Sequence, residues 1–393
     1  SLIIRHVKLY GSEDFLPSCI YIDDSGKQRE FLVGERAIRR FSETGDINRY
    51  FSQFKLDLDQ EPLDKHYTNL NVDPVTLTAI VIRELLMEAC QFPQSELYRN
   101  GWIKDATITI PAKWSESRMT QTLEAARAAG LENVRLAKEP TAALHYINWY
   151  KGLTSQPNQK YMIVDYGGGT CDVTICETFT PGQESPIVSE NTLDHDVGGR
   201  DIDRALANLF LEWACDEWKV SPTELEEHRR RWEIQAEQEK MDYTWWFRRQ
   251  NNGQPPIRIK IDGKGKYPCF ERELLPEDFN QSVFPVVKNI LVPINRALKG
   301  ASLEPKDISQ VFLVGGSSLV PIVIDQVQEM FGSRAELANS PRSAVCYGSS
   351  LWQHYKSTKI QSGFQARYYS TLSLITRKRQ SVWERIRARA NNG

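Results

Sequence analysis

A chain of 393 residues exceeds one ordinary domain, and 40% hydrophobic with 25% charged residues marks it as globular, so two lobes or more are expected. The net charge of -2 gives no electrostatic pull toward nucleic acid or an anionic membrane, and no apolar run approaches the roughly 18 residues that span a bilayer. Seven cysteines, at 19, 90, 171, 176, 215, 269 and 346, include no C-x-x-C pair, which argues against a disulfide framework or a zinc site and for a reducing cytoplasm.

The chain opens on Ser1 with no basic-then-apolar leader, so a truncated start and no signal peptide are expected. Cys19-Ile20-Tyr21-Ile22 reads as a strand entering the polar turn Asp23-Asp24-Ser25-Gly26, and Phe31-Leu32-Val33 follows. Residues 75–90 carry apolar positions at helical spacing. A strand from Ala106 to Ile110 is stopped by Pro111, and a helix starting at Ser115/Glu116 ends at Gly130. A second strand-and-turn unit runs from Tyr161 to Cys176, and this alternation of strands with helices predicts an α/β layered fold. Residues 203–247 read as a long charged helix of an outer subdomain, broken at Asn251-Asn252-Gly253-Gln254-Pro255-Pro256. A helix around 281–299 precedes the strand Val311 to Val314, and no short-period repeat is present. Beyond about residue 355 the composition turns polar and basic. There Arg377-Lys378-Arg379, Arg385, Arg387 and Arg389 mix with Val382, Trp383 and Ile386. That stretch is either an amphipathic surface for a membrane or partner, or a solvated terminus.

The densest chemistry lies in Ile163-Val164-Asp165-Tyr166-Gly167-Gly168-Gly169-Thr170-Cys171-Asp172-Val173-Thr174-Ile175. An apolar strand ends in an aspartate, three glycines follow, and a second strand leaves at once. Glycines without side chains let successive backbone N–H groups turn toward one anion. Thr170 adds a hydroxyl, and Asp165 and Asp172 supply hard oxygens suited to Mg²⁺ held largely through water. No G-K-[ST] follows, so this is not a Walker loop. By itself the segment reads equally well as a tight glycine hairpin with two solvated aspartates.

Three further stretches stand in order with it. They are Arg135-Leu136-Ala137-Lys138-Glu139-Pro140-Thr141-Ala142-Ala143-Leu144, Val197-Gly198-Gly199-Arg200-Asp201-Ile202-Asp203, and Val311-Phe312-Leu313-Val314-Gly315-Gly316-Ser317-Ser318. Together they resemble the ATPase domain of the heat shock protein 70 family, the DnaK-type chaperones, over roughly residues 15–355. The resemblance implies an α/β, actin-like ATPase fold of the ribonuclease H-like kind, with two lobes closing on ATP in a cleft between them. Lobe I would span 1–152, with an outer subdomain at about 15–100. Lobe II would span 153–355, with an outer helical subdomain at about 198–280, and 356–393 would be a polar, basic tail.

By the same resemblance Asp165 would hold Mg²⁺ through its water shell, and Gly167, Gly168, Gly169 and Thr170 would hold the phosphates. Asp172 would orient water or the metal shell, Glu139 would position both, and Pro140 would act as a switch. Lys55, in Phe51-Ser52-Gln53-Phe54-Lys55-Leu56, resembles the lysine aimed at the transferred phosphate, although its residues alone read as a surface lysine. Gly198, Gly199, Glu237, Lys240, Gly315, Gly316 and Ser317 would line the adenosine side. Glu237 and Lys240 share a helical face and fit either a grip on ribose hydroxyls or a solvated charge pair. Gly315 and Gly316 fit either a purine contact or a plain strand-to-helix turn.

The family's first phosphate hairpin near the N-terminus has no counterpart here, since Asp24-Ser25-Gly26 runs into Lys27-Gln28-Arg29-Glu30 and reads as an exposed turn. Leu319 stands where the family has a base-stacking arginine, Arg342 where it has an aspartate, and Met241 adds an apolar wall. The implied function is a slowly ATP-hydrolysing chaperone domain that couples lobe closure to client or partner binding. Its cofactors would be ATP/ADP and Mg²⁺, and its partners unfolded client proteins, co-chaperones and nucleotide-exchange factors in the cytoplasm, with no nucleic acid. The alternative is a degenerate, non-hydrolysing scaffold of the same fold. A sugar or acetate kinase ranks below both, because no sugar-binding constellation is present.

Overall fold

The structure, a computed structural model, describes residues 15–91, 103–153, 159–177, 187–193, 197–248, 257–261, 263 and 267–360. The chain divides into two units at Ala137/Lys138 and again at Tyr355/Lys356.

In the first unit, Cys19–Asp23 (β1) and Glu30–Val33 (β2) form a hairpin, followed by the helix Glu35–Thr44 (α1) and the short strand Tyr50–Ser52 (β3). The sheet order is β2-β1-β3, with Ile20 opposite both Val33 and Phe51. As the central strand, β1 is buried on both faces, so Cys19 through Ile22 are all enclosed. The turn at Asp23–Gly26 is exposed as expected, and arginines hold it: Arg40 Nε lies 2.7 Å from Asp23 Oδ2 and Arg29 Nε 2.8 Å from Asp24 Oδ1. The helices Lys65–Asn69 (α2) and Pro74–Gln91 (α3) follow, and Leu77 and Ile80 of α3 join Ile20, Ile22, Val33 and Phe51 in one core. Asp105–Ile110 (β4) pairs with Asn133–Lys138 (β5), and between them Glu116–Ala128 (α4) packs on α3 through Ala126 and Leu86. Ser115 caps α4, as its sequence predicts, by accepting from Arg118 N at 3.1 Å.

The second unit opens with the helix Glu139–Lys151 (α5) and the strands Lys160–Tyr166 (β6), Cys171–Glu177 (β7) and Ile187–Leu193 (β8). Two long helices, Gly199–Trp218 (α6) and Arg229–Arg248 (α7), lead to the hairpin Ile257–Ile261 (β9) and Phe270–Leu274 (β10). Pro276–Val287 (α8), Leu291–Gly300 (α9), Gln310–Val314 (β11), Pro321–Phe331 (α10), Ala335–Leu337 (β12) and Ala344–Ile360 (α11) complete it. Its mixed sheet has the order β12-β11-β6-β7-β8, parallel from β12 to β6 and antiparallel thereafter. Met162, Val164, Val173, Ile175, Val311 and Leu313 face α6 to α10 in a continuous core. The expected α/β architecture is present.

Two helical expectations change. The long helix over 203–247 is two helices, because Lys219 at φ 56 caps the first in the left-handed region and Ser221-Pro222 restarts the chain. The helix around 281–299 starts earlier, at Pro276, and tightens to a 3-10 turn at Lys288–Ile290. Pro293 has no N–H for the carbonyl of Asn289, so an unbroken α-ladder cannot pass that point. The predicted break at 251–256 and the basic residues 377–389 lie outside the described residues.

Candidate phosphate site

β6 and β7 are joined by Gly167 to Thr170, and their register pairs Asp165 with Asp172 and Tyr166 with Cys171. Gly167 N–H donates to Thr170 O at 3.0 Å and closes the hairpin. On the other side of β6, parallel β11 places Val314 beside Asp165. The chain then turns through Gly315 at φ 87, with its N–H on Pro341 O at 3.0 Å. A Cβ at 315 would stand 2.6 Å from Asp165 Oδ1 and 2.5 Å from Tyr166 O, so glycine is needed for both conformation and space.

The start of α6 docks behind the loop. Gly199 N–H donates to Gly167 O at 3.0 Å, Arg200 N–H to Gly168 O at 2.7 Å, and Ser317 Oγ to Gly167 O at 2.8 Å. In a trans peptide the N–H lies antiparallel to the C=O. With the carbonyls of Gly167 and Gly168 turned to α6, the N–H groups of Gly168 and Gly169 point away from it. This yields adjacent donors backed by the positive end of a long helix, the arrangement that attracts phosphate. The approach is close: a Cβ on Gly198 would lie 2.7 Å from Gly169 Cα. Asp201 Oδ2 caps α6 by accepting from Gly198 N at 2.9 Å and Val197 N at 3.2 Å.

Asp172 is buried, and its Oδ2 accepts from Thr170 Oγ1 at 3.0 Å. The Thr170 hydroxyl proton is thereby committed and its oxygen left as an acceptor. Asp165 and Asp172 face one side of the sheet as a directly opposed pair, with Cβ atoms about 5 Å apart in such a rung. Like charges so placed favour a bridging cation. Among the described residues no cluster of three His, Cys, Asp or Glu side chains converges. A pair of carboxylates suffices for Mg²⁺, which keeps several of its waters.

Lys240 on α7 is buried, and its Nζ lies 2.6 Å from Asp203 Oδ1 and donates to Gly199 O at 3.2 Å. Burial pushes the Asp203 carboxyl up to about 7, against the pull of Lys240. Glu237, one turn earlier, is exposed. Thr244 Oγ1 donates to Lys240 O at 2.8 Å. Arg248 donates from Nε and Nη2 to Leu319 O at 3.2 and 3.1 Å, and Arg342 Nε lies 4.0 Å from where a Cβ of Gly316 would be.

Asp165, Gly167, Gly168, Gly169, Thr170, Asp172, Gly198, Gly199, Lys240, Gly315 and Ser317 are thus drawn together around one loop, with Gly316 following Gly315. Glu139 begins α5 in the same unit, partly buried, with Pro140 in the first helical turn. Lys55 belongs to the first unit, exposed after β3, with Nζ 5.1 Å from the ring centroid of Trp114. Sequence reasoning gave no role to Asp201 or Asp203, although both stand in the quoted Gly-Gly-Arg-Asp-Ile-Asp stretch. Asp203 lies four residues after Gly199, one turn along α6, and that spacing was the available signal.

A family model described as Hsp70 protein matches residues 34–389. Chaperone protein DnaK from two strains of Thermus thermophilus is 31% identical over 280 residues, which is 71% of this chain and 43% of the relative. Chaperone protein DnaK of Thermotoga neapolitana is 30% identical over 345 residues, 85% of this chain and 53% of the relative. The chain therefore spans about half the length of the curated relatives it matches.

Proposed function

Because the chain belongs to the Hsp70 family and so has the actin-like ATPase fold, we propose that it is an ATP-binding and slowly ATP-hydrolysing domain of a chaperone. The observation that carries this reading is the pair of loop carbonyls turned to the start of α6, which leaves N–H groups of Gly168 and Gly169 for an anion. At Gly168 a Cβ would meet nothing within 4 Å, so a phosphate chain can approach the loop there with no side chain in the way. The opposed Asp165 and Asp172 fit hydrated Mg²⁺, which when bound would offset charge on the phosphates.

In this reading the glycine loop binds and orients the phosphates. Thr170, its proton committed to Asp172, presents an oxygen that accepts from the attacking water. Glu139 helps place that water, and Lys55 stabilises charge developing on the terminal phosphoryl oxygens. Lys240 donates one proton to Gly199 O and faces Asp203 as an ion-pair partner, which leaves a proton for a ribose hydroxyl, with Glu237 accepting from another. Gly315, Gly316 and Ser317 shape the base side. Lobes corresponding to 1–152 and 153–355 would close on the nucleotide and pass that motion to clients, co-chaperones or exchange factors in the cytoplasm.

The test is isothermal titration of this chain with ATP and ADP, with and without Mg²⁺, together with a phosphate-release assay. Binding that strengthens with Mg²⁺ is expected, with turnover reduced roughly tenfold or more in Thr170→Ala. No binding of either nucleotide would refute the reading. A second reading, a non-hydrolysing partner-binding scaffold, is favoured by Arg342 beside Gly316, where a purine would need bare backbone. Mg²⁺-dependent phosphate release lost in Thr170→Ala would eliminate it.

A further inference from the structure

Lys240 and Asp203 face each other from α7 and α6, each side chain only 11% exposed. A buried ion pair adds little net stability over well-packed apolar residues, because desolvation offsets the attraction. Its contacts suggest another use. The same ammonium that meets Asp203 Oδ1 at 2.6 Å donates to Gly199 O at 3.2 Å. Gly199 is the residue whose N–H holds Gly167 O at 3.0 Å, and its neighbour Arg200 holds Gly168 O at 2.7 Å. A side chain at 199 would collide with Ser317 Oγ and come within 3.3 Å of Lys240 Nζ and 3.4 Å of Gly167 O, so the lysine, the serine and the loop close on one backbone point.

We propose that Asp203 is a positioning residue of the phosphate site: it fixes Lys240 against Gly199, and so keeps the loop carbonyls turned back and the N–H groups of Gly168 and Gly169 turned out. This rests on reading the glycine loop as an anion cradle. Asp203 touches neither the loop nor the anion in this scheme, and acts only through Lys240 and the first turn of α6. Above pH 7, where the Asp203 carboxyl is mostly ionised, an amide in its place takes away the carboxylate that meets the ammonium and weakens the hold on Gly199 O.

Hydrogen–deuterium exchange on the nucleotide-free chain tests this directly, because its readout needs no ligand. In Asp203→Asn the amides of Gly199 and Arg200 are expected to exchange at least about tenfold faster, with α8 and α9 unchanged and Asp203→Glu restoring much of the protection. If Asp203→Asn fails to fold, the double variant D203N/K240M, which removes both charges from the interior, is read at the same amides with the same expectation. Wild-type exchange at Gly199 and Arg200 in any folded variant lacking the carboxylate overturns the proposal. A parallel titration uses inorganic tripolyphosphate with Mg²⁺, and Asp203→Asn is expected to bind about tenfold more weakly than wild type. Equal affinity would also overturn it. If wild type itself binds no tripolyphosphate, the anion-cradle reading fails, while a changed exchange pattern would still establish the Asp203–Lys240–Gly199 linkage.

Discussion

Hydrogen bonds from the side chain and backbone of Ser25, with the Arg40 guanidinium 2.7 Å away, hold the Asp23 carboxyl down to about 2. A carboxyl depressed on folding stabilises the native state above its unfolded value, and the contribution is lost as pH falls through the native value. Asp23→Asn is therefore expected to cost about 1 kcal/mol at pH 7, discounted for solvent screening, and to cost almost nothing near pH 2. Urea midpoints of both proteins between pH 2 and 7 check this, and a pH-independent difference would contradict it. Residues of this kind are poorly legible in sequence. Asp23 and Arg40 are 17 positions apart, and nothing local joins them. The three glycines at 167–169 are different: they mark a tight turn between two strands locally, and the motifs that follow them in order are what favoured a phosphate loop over a plain hairpin. Lys240 was singled out from sequence but its buried partner Asp203 was not, because pairing across two helices depends on how they pack.

At the scale of elements, local signals located an end wherever a cap or a proline marked it. Ser115 as a cap and Pro111 as a stop bounded their elements from sequence alone, because capping and the missing proline N–H act within one turn. The join between α6 and α7 was hidden, since Lys219 gives no sign that it takes a left-handed conformation at φ 56. A β-carbon there costs about 1 kcal/mol relative to glycine. Lys219→Gly should accordingly raise the unfolding free energy by about 0.5–1 kcal/mol in urea titration, offset in part by the greater freedom of the unfolded chain. Destabilisation would mean that the lysine side chain matters more than the backbone. The strands β5, β8, β9, β10 and β12 went unpredicted; Ile257-Arg258-Ile259-Lys260-Ile261 in β9 does alternate apolar with polar and was a readable signal, whereas the three residues of β12 are too few to show a period.

For the whole molecule, the order of motifs along the chain was the strongest signal, and the family match over residues 34–389 agrees with it. Lys55 was assigned to the site by resemblance alone; it belongs to one unit, and the loop, α6 and Lys240 belong to the other. This division gives an expectation under the proposed function. Lys55→Met should leave the ATP dissociation constant within about threefold of wild type and reduce single-turnover phosphate release at least about tenfold. Titration calorimetry and rapid quench separate the two quantities. A large loss of affinity with normal turnover would place Lys55 outside the chemical step.

The facing aspartates of β6 and β7 also bear on how this protein can change over generations. Two carboxylates opposed across one rung are an unfavourable cross-strand pairing, which a neutral residue at either place would relieve. Selection for sturdiness alone would erase the rung, and selection for a cation-assisted task would restore it. Chains of this fold that have abandoned that task should drift first at these two positions, toward a quieter hairpin.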